Sequence, residues 1–208
     1  MKPSPNPPLL IPGFIDPVLD SQAVFRTLLT AMSRPGEICP LPLVPQAPGA
    51  LTGAAAAVCL TLLDLDTPVW LDNTLRQPEV MAHLRFHCGC PIVEDPAQAA
   101  FALIGKVKEI PCLAIFNPGV PEYPDASTTL VVQVQGLTNK QGVYLQGPGI
   151  ENEVRLGADF LLDHFWHELA GQRRSFPLGL DVFLVSPKEV AALPRSVTIK
   201  EAGPCMSR

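Results

Sequence analysis

Charge is scarce in this chain: aspartate, glutamate, lysine and arginine make up 17% of its 208 residues, and the formal balance is −5. No cluster of lysine or arginine interrupts that mild acidity. Without one there is no footprint for displacing counterions from a nucleic acid, so nucleic acid is not an expected partner. Long apolar runs are also missing. The longest, over residues 54–65, is broken by Thr61 and Asp64 and falls short of the ~18 apolar residues that a membrane-spanning helix needs. The opening stretch MKPSPNPPLLIPGF has one lysine and a proline-broken apolar patch, not the basic region and continuous core of a secretory signal. These absences lead to the expectation of a cytoplasmic protein. In such a compartment Cys39, Cys59, Cys88, Cys90, Cys112 and Cys205 are free thiols by default. Catalytic signatures are missing as well. The turn Gln146-Gly147-Pro148-Gly149 has a proline without an N–H and no following GK[ST], so it is not a P-loop. No serine or cysteine sits in a nucleophile elbow, and no Glu/His pair has metalloprotease spacing.

What the chain does have is apolar bulk and proline: 47% hydrophobic residues and 24 prolines. A length of 208 residues suits one domain, large enough to bury roughly 70% of the surface that its unfolded form exposes. A charge-poor surface over such a core points to contacts with other subunits. Residues 1–13 hold five prolines and read as an extended arm, with residues 14–208 as a single α/β domain. Residues 16–36 organise that domain. Asp20 or Ser21 supplies an N-cap; Phe25, Leu28, Leu29 and Met32 form a stripe for the core; Gln22, Arg26, Thr30 and Ser33 face outward; Pro35 and Gly36 stop the helix. Because Pro35 biases the residue before it away from the helical region, Arg34 leaves the helix end in a turn. An arginine held there meets an anion, is solvated, or caps the helix carbonyls.

Further along, an Ala- and Leu-rich helix over 51–63, a strand over 67–71, a helix opening at Pro78 and running to His87, and strands over 91–93, 99–104, 128–134 and 143–146 are expected. A short helix over 110–116, a long one over 156–169 and a hairpin of 180–185 with 190–193 complete the reading. Helices interleaved with six or seven short strands predict a three-layer αβα domain with a mixed sheet.

Three groups of residues carry potential chemistry. His83, His87, Cys88 and Cys90 lie within eight residues and have zinc-capable side chains, though no second ligand pair accompanies them. The alternative is a helix end where His87 bonds a carboxylate or carbonyl and the cysteines pack as small hydrophobes. Asp181 and Arg195 flank the last hairpin and can pair with each other, or with Arg34 and Asp66. Finally, Arg26, Arg34, Arg85 and Arg195 are candidates for gripping a polyanion.

Taken together, GFIDPVLDSQAVFRTLLTAMSRPG at 13–36, LLDLDTPVWL at 62–71, RFHCGCPIV at 85–93, GPGI at 147–150 and FPLGLDVFLV with ALPR within 176–195 resemble the PhnH subunit of bacterial carbon–phosphorus lyase, in order and over nearly the whole chain. The resemblance implies a cytoplasmic protein of phosphonate use, working with the PhnG, PhnI and PhnJ subunits and with PhnL. The reaction it implies for the complex is displacement of adenine from ATP by an alkylphosphonate, giving ribose 1-alkylphosphonate 5-triphosphate. It further implies a fold similar to the large domain of pyridoxal-phosphate transferases without the cofactor, and a homodimer when isolated. Lys106, Lys108, Lys140, Lys188 and Lys200 show no Schiff-base context, in keeping with that implication. His87 fits the family pattern; Cys88 and Cys90 are not part of it. The chemistry requires a triphosphate clamp and a group to protonate departing adenine. Arginines suit the first task. Only His87, Asp66, Asp181 and Asp64 are available for the second, in no convincing pair. The expectation is therefore a subunit needed for the reaction but inactive alone, with PhnI or a shared interface holding the chemistry. A scaffold without substrate contact and a zinc hydrolase built on the 83–90 cluster are the alternatives.

Overall fold

A computed structural model describes residues 10–200 of the chain. Most of the expected arm over 1–13, and Cys205, lie outside the described residues. The first element, α1 (Pro17–Ser33), starts a turn before the expected caps. Asp16 is the N-cap, its side chain accepting from Val18 N at 3.1 Å and Leu19 N at 3.0 Å, and Pro17 takes the first helical position, where a missing N–H costs nothing.

The remaining helices are α2 (Gly53–Leu62), α3 (Pro78–His87) and α4 (Asp163–Gln172). Ten strands lie among them: β1 (Cys39–Pro40), β2 (Val69–Leu71), β3 (Ile92–Val93), β4 (Phe101–Ile104), β5 (Thr129–Gln133), β6 (Leu137–Gln146), β7 (Val154–Ala158), β8 (Asp181–Val185), β9 (Glu189–Leu193) and β10 (Thr198–Lys200). The α2 and α3 helices and the β8–β9 hairpin stand as expected. The helix expected over 156–169 is instead strand β7 followed by a later helix, α4. The expected short helix over 110–116 is a single 3-10 turn at Leu113–Ile115.

Seven strands form a mixed sheet in the order β1-β9-β8-β5-β4-β2-β3, and β10-β6-β7 form a separate antiparallel sheet. From β3 across to β8 the large sheet is parallel, while β9 runs antiparallel to both β8 and β1. Because strand side chains alternate faces, Leu103, Val131, Phe183 and Val185 join α1, α2 and α3 in one core, whereas Ile104, Leu130, Val132, Val182 and Leu184 join a second. That second core is closed by Phe165, Trp166 and Leu169 of α4 and by Leu145, Leu156 and Ile199 of the small sheet. The layer predicted as helical on this side is thus one helix and a three-stranded sheet. Strands as short as β10, and a β6–β7 pair whose register shifts between Thr138 and Val143, leave little alternating pattern to read.

The expected core stripe of α1 is rotated. Val24, Leu28 and Ala31 are buried, while Phe25 and Leu29 are exposed, Leu29 at 57%. With Val18 they line the outside of the helix.

Candidate functional site

The turn that ends α1 is set by Arg34, whose N–H donates to Thr30 O at 2.9 Å, and by Gly36 at φ +83°, whose N–H reaches Ala192 O of β9 at 3.4 Å. A second turn lies against it. Gly149 has φ +81°, and a side chain there would run into Ser33 O and meet Pro35 Cδ at 2.9 Å, so only glycine permits this approach. Gly147 lies against the segment after β9, where an added Cβ would be 3.1 Å from Ser196 O. Asn139 of β6 ties the group together by donating from Nδ2 to Gly36 O at 3.0 Å. Three turns and one residue of β6 from distant parts of the chain thereby meet beside β9.

Between them opens a cleft of about 560 Å³ whose rim includes Arg34, Glu37, Asn139, Glu151 and Glu153. Arg34 lies 3.6 Å from Glu37, so the one arginine is outnumbered by three carboxylates. This is not by itself a cradle for a triphosphate.

Asp181 and Arg195 stand at the open ends of β8 and β9. The Arg195 N–H donates to Asp181 Oδ1 at 2.7 Å, and its Nε reaches Oδ1 and Oδ2 at 3.3 and 3.2 Å. Its Nη2 also meets Oδ2 and its Nη1 bonds Pro124 O. Both side chains are only 17% exposed, so this guanidinium is committed to the fold. Arg173 extends the arrangement, donating to Leu180 O at 2.6 Å and Leu193 O at 3.1 Å. Burial brings its pKa down to about 10, against the opposing pull of Asp181. Nothing in the sequence around Arg173 distinguished it from its neighbour Arg174.

The other predicted residues stand apart on the helical layer. Arg26 is exposed on α1, Arg85 is exposed on α3, and Asp66 is exposed in the loop after α2. His87 Nε2 lies 2.9 Å from Ile11 O, the carbonyl contact expected of it. Its ring is 4.5 Å from that of His83, which is fully buried, with neither ring nitrogen hydrogen-bonded. Burial, and then the charge of His87, holds the His83 pKa below the ordinary histidine value. Cys88 Sγ lies 3.6 Å from Cys59 O and Cys90 Sγ 3.9 Å from Leu84 O. Among the described residues no three His, Cys, Asp or Glu side chains converge as metal ligands, which leaves the zinc hydrolase without a ligand set.

Sequence reasoning passed over the carboxyl ends of the parallel strands, where open α/β sheets usually hold ligands. Here the protein fills part of that place itself, beside a cavity of about 290 Å³ lined by Lys106, Lys108, Gln133 and Asp159. Buried Asp72, just after β2, accepts from Leu75 N at 2.9 Å, Gly105 N at 2.8 Å and Lys106 N at 3.4 Å. Gln133 accepts from Thr52 N at 2.7 Å and donates to Ala50 O at 3.0 Å.

A sequence model of the family described as bacterial phosphonate metabolism protein (PhnH) matches residues 12–200. The chain belongs to the PhnH family. It is 38% identical over 188 residues to the alpha-D-ribose 1-methylphosphonate 5-triphosphate synthase subunit PhnH of Rhizobium meliloti (strain 1021), covering 90% of this chain and 94% of that one. It is 31% identical over 183 residues to the putative C-P lyase subunit protein HtxG of Stutzerimonas stutzeri, covering 88% and 87%. Two of the stretches on which the PhnH resemblance rested, at 13–36 and 147–150, supply residues that line the cleft, and a third, 176–195, holds Ala192, whose carbonyl accepts from Gly36.

Proposed function

We propose that this chain is a subunit of a bacterial carbon–phosphorus lyase assembly, needed when adenine of ATP is displaced by an alkylphosphonate to give ribose 1-alkylphosphonate 5-triphosphate, and inactive on its own. The likeness to a named synthase subunit over nine-tenths of both chains supports the reaction. PhnG, PhnI, PhnJ and PhnL are the proposed partners, the cytoplasm the proposed location, and a cofactor-free relative of the large domain of pyridoxal-phosphate transferases the proposed ancestry of the sheet. Consistent with that ancestry, every lysine of the described residues is exposed, whereas a Schiff-base lysine works from a desolvated pocket.

The observation that carries the subunit reading is the outer face of α1. Val18, Gln22, Phe25 and Leu29 recur at helical spacing, with Val18 75% exposed and Leu19 beside it. A contiguous apolar stripe of this kind marks a protein interface. Its charges are arranged for self-pairing: Asp16 and Asp20 stand at the start of α1, Arg26 in its second half and Arg34 just past its end. An antiparallel copy across a two-fold axis sets each acidic end against a basic one. The isolated chain is therefore read as a homodimer joined through α1.

Within the assembly, Arg34, on the rim of the cleft, is the arginine proposed to meet substrate, whereas Arg195 is held by Asp181. The test is adenine release from ATP and methylphosphonate by the reconstituted assembly carrying Arg34→Ala. Loss of at least tenfold in turnover with the assembly intact supports substrate contact. Unchanged turnover favours the second reading, a scaffold without substrate contact, which the acidic rim of the cleft also supports.

A further inference from the structure

The cavity at the carboxyl ends of β4 and β5 is lined by two opposite charges that the fold leaves unused. It measures about 290 Å³ and lies among Gly105 and the turn that follows it, Gln135 after β5, and the loop after β7. Val107 and Val134, both nearly buried, give it an apolar wall. Phe160 completes the lining, 58% exposed and at φ +63°, a conformation that a bulky L side chain adopts only under strain. Lys108 Nζ lies over this ring, 5.9 Å from its centroid. Lys106 stands 3.4 Å from Glu109, which also accepts from Thr74 Oγ1 at 3.3 Å, so that cation is answered from within the fold. Lys108 meets no carboxylate among the described residues. Asp159 donates its N–H to Gly136 O at 3.0 Å, and its carboxylate lies where a Cβ added to Gly136 would be 2.6 Å from Oδ2. That carboxylate forms no ion pair among the described residues. A cation and an anion thus line one small cavity without neutralising each other.

Ligand sites are mostly apolar, with a few polar groups that fix orientation, and open α/β sheets hold them outside the carboxyl ends of their strands. We propose that this cavity binds a zwitterion whose anionic and cationic ends are separated by a short apolar spacer, of the class of the ω-aminoalkylphosphonates. The phosphonate end accepts charge-assisted hydrogen bonds from Lys108, the ammonium end meets Asp159, and the methylene chain lies against Phe160, Val107 and Val134. A simple anion fits less well because Asp159 repels it, and a triphosphate is repelled more strongly. Choosing phosphonate over carboxylate for the anionic end rests on the phosphonate reading above, whereas the two unpaired charges by themselves call for a zwitterion. This subsite is separate from the cleft that holds Arg34, since the two linings share no residue.

The test is a titration of the whole isotope-labelled chain with 2-aminoethylphosphonate, followed by amide NMR, with ethylphosphonate, β-alanine and inorganic phosphate as comparison probes. Expected are saturable shifts confined to residues 105–108, 133–136 and 159–160. Each comparison probe should bind more weakly by about fivefold, the scale of one exposed charge contact. Lys108→Ala and Asp159→Asn should each weaken 2-aminoethylphosphonate by a similar factor, and Asp159→Asn should not weaken ethylphosphonate. Equal affinity for β-alanine would make this an amino-acid site, and equal affinity for ethylphosphonate or phosphate a plain anion site; either overturns the proposal, as does the absence of saturable shifts at these residues. Both side chains are exposed, and the wild-type series decides even if a variant fails to fold. Because binding is read on the lone chain, a negative result leaves adenine release by the recombined assembly to be judged separately.

Discussion

At Asp181 and Arg195 a pairing read from two short motifs is also a structural commitment. Every guanidinium nitrogen of Arg195 is engaged, and the Asp181 carboxylate takes the Arg195 backbone N–H as well. A buried pair is costly to break one partner at a time, because the survivor stays charged and unpaired. Arg195→Ala is expected to lower the unfolding free energy by about 3 kcal/mol, with the loss read as a lower urea midpoint. Replacing both, as Asp181→Leu with Arg195→Met, should cost less than the sum of the single changes. Equal and additive losses would mean that the two side chains act separately. Much of this was legible, since a carboxylate at one strand start and an arginine at the neighbouring strand end are opposed by any hairpin. Arg173, Asp72 and Gln133 were not, because each bonds backbone groups from segments distant in sequence and no local pattern records those contacts.

Among the elements, α1 shows best how sequence patterning succeeds and fails. Its stop at Arg34, Pro35 and Gly36 was legible, because proline and glycine act through backbone geometry that no neighbour alters. Its buried face was not. Phe25 and Leu29 are the larger side chains and invited assignment to the core, whereas small Val24 and Ala31 flank Leu28 against α2 and β9. The rule that apolar residues turn inward assumes a monomer. An interface breaks it, and the misplaced stripe is what the proposed one would leave. If α1 joins two copies, Leu29→Asp should convert the isolated dimer to a monomer in light scattering after size exclusion. Its unfolding midpoint at low protein concentration should stay unchanged, since the side chain lies outside the fold. A variant that stays dimeric would move the interface elsewhere. The start of β7 was lost for a different reason: the irregular register between β6 and β7 interrupts the alternation that would have separated strand from helix.

Across the whole molecule, the mixed seven-stranded sheet and its helical face were legible from alternating helices and apolar strands. The opposite face was not, because a three-stranded sheet built from residues 137–158 and 198–200 and one helix share it. The same contacts gather the 33–36, 147–150 and 193–197 turns beside β9, a convergence no one-dimensional reading contains. The result is a folded body with an apolar outer helix, an acidic-rimmed cleft and its arginines dispersed or neutralised. Such a body is suited to completing a site that others share. The most direct measurement is adenine release from ATP and methylphosphonate by the chain alone, by the other subunits alone, and by the two recombined. The account predicts release only on recombination. Release by the lone chain, or undiminished release without it, would contradict the account.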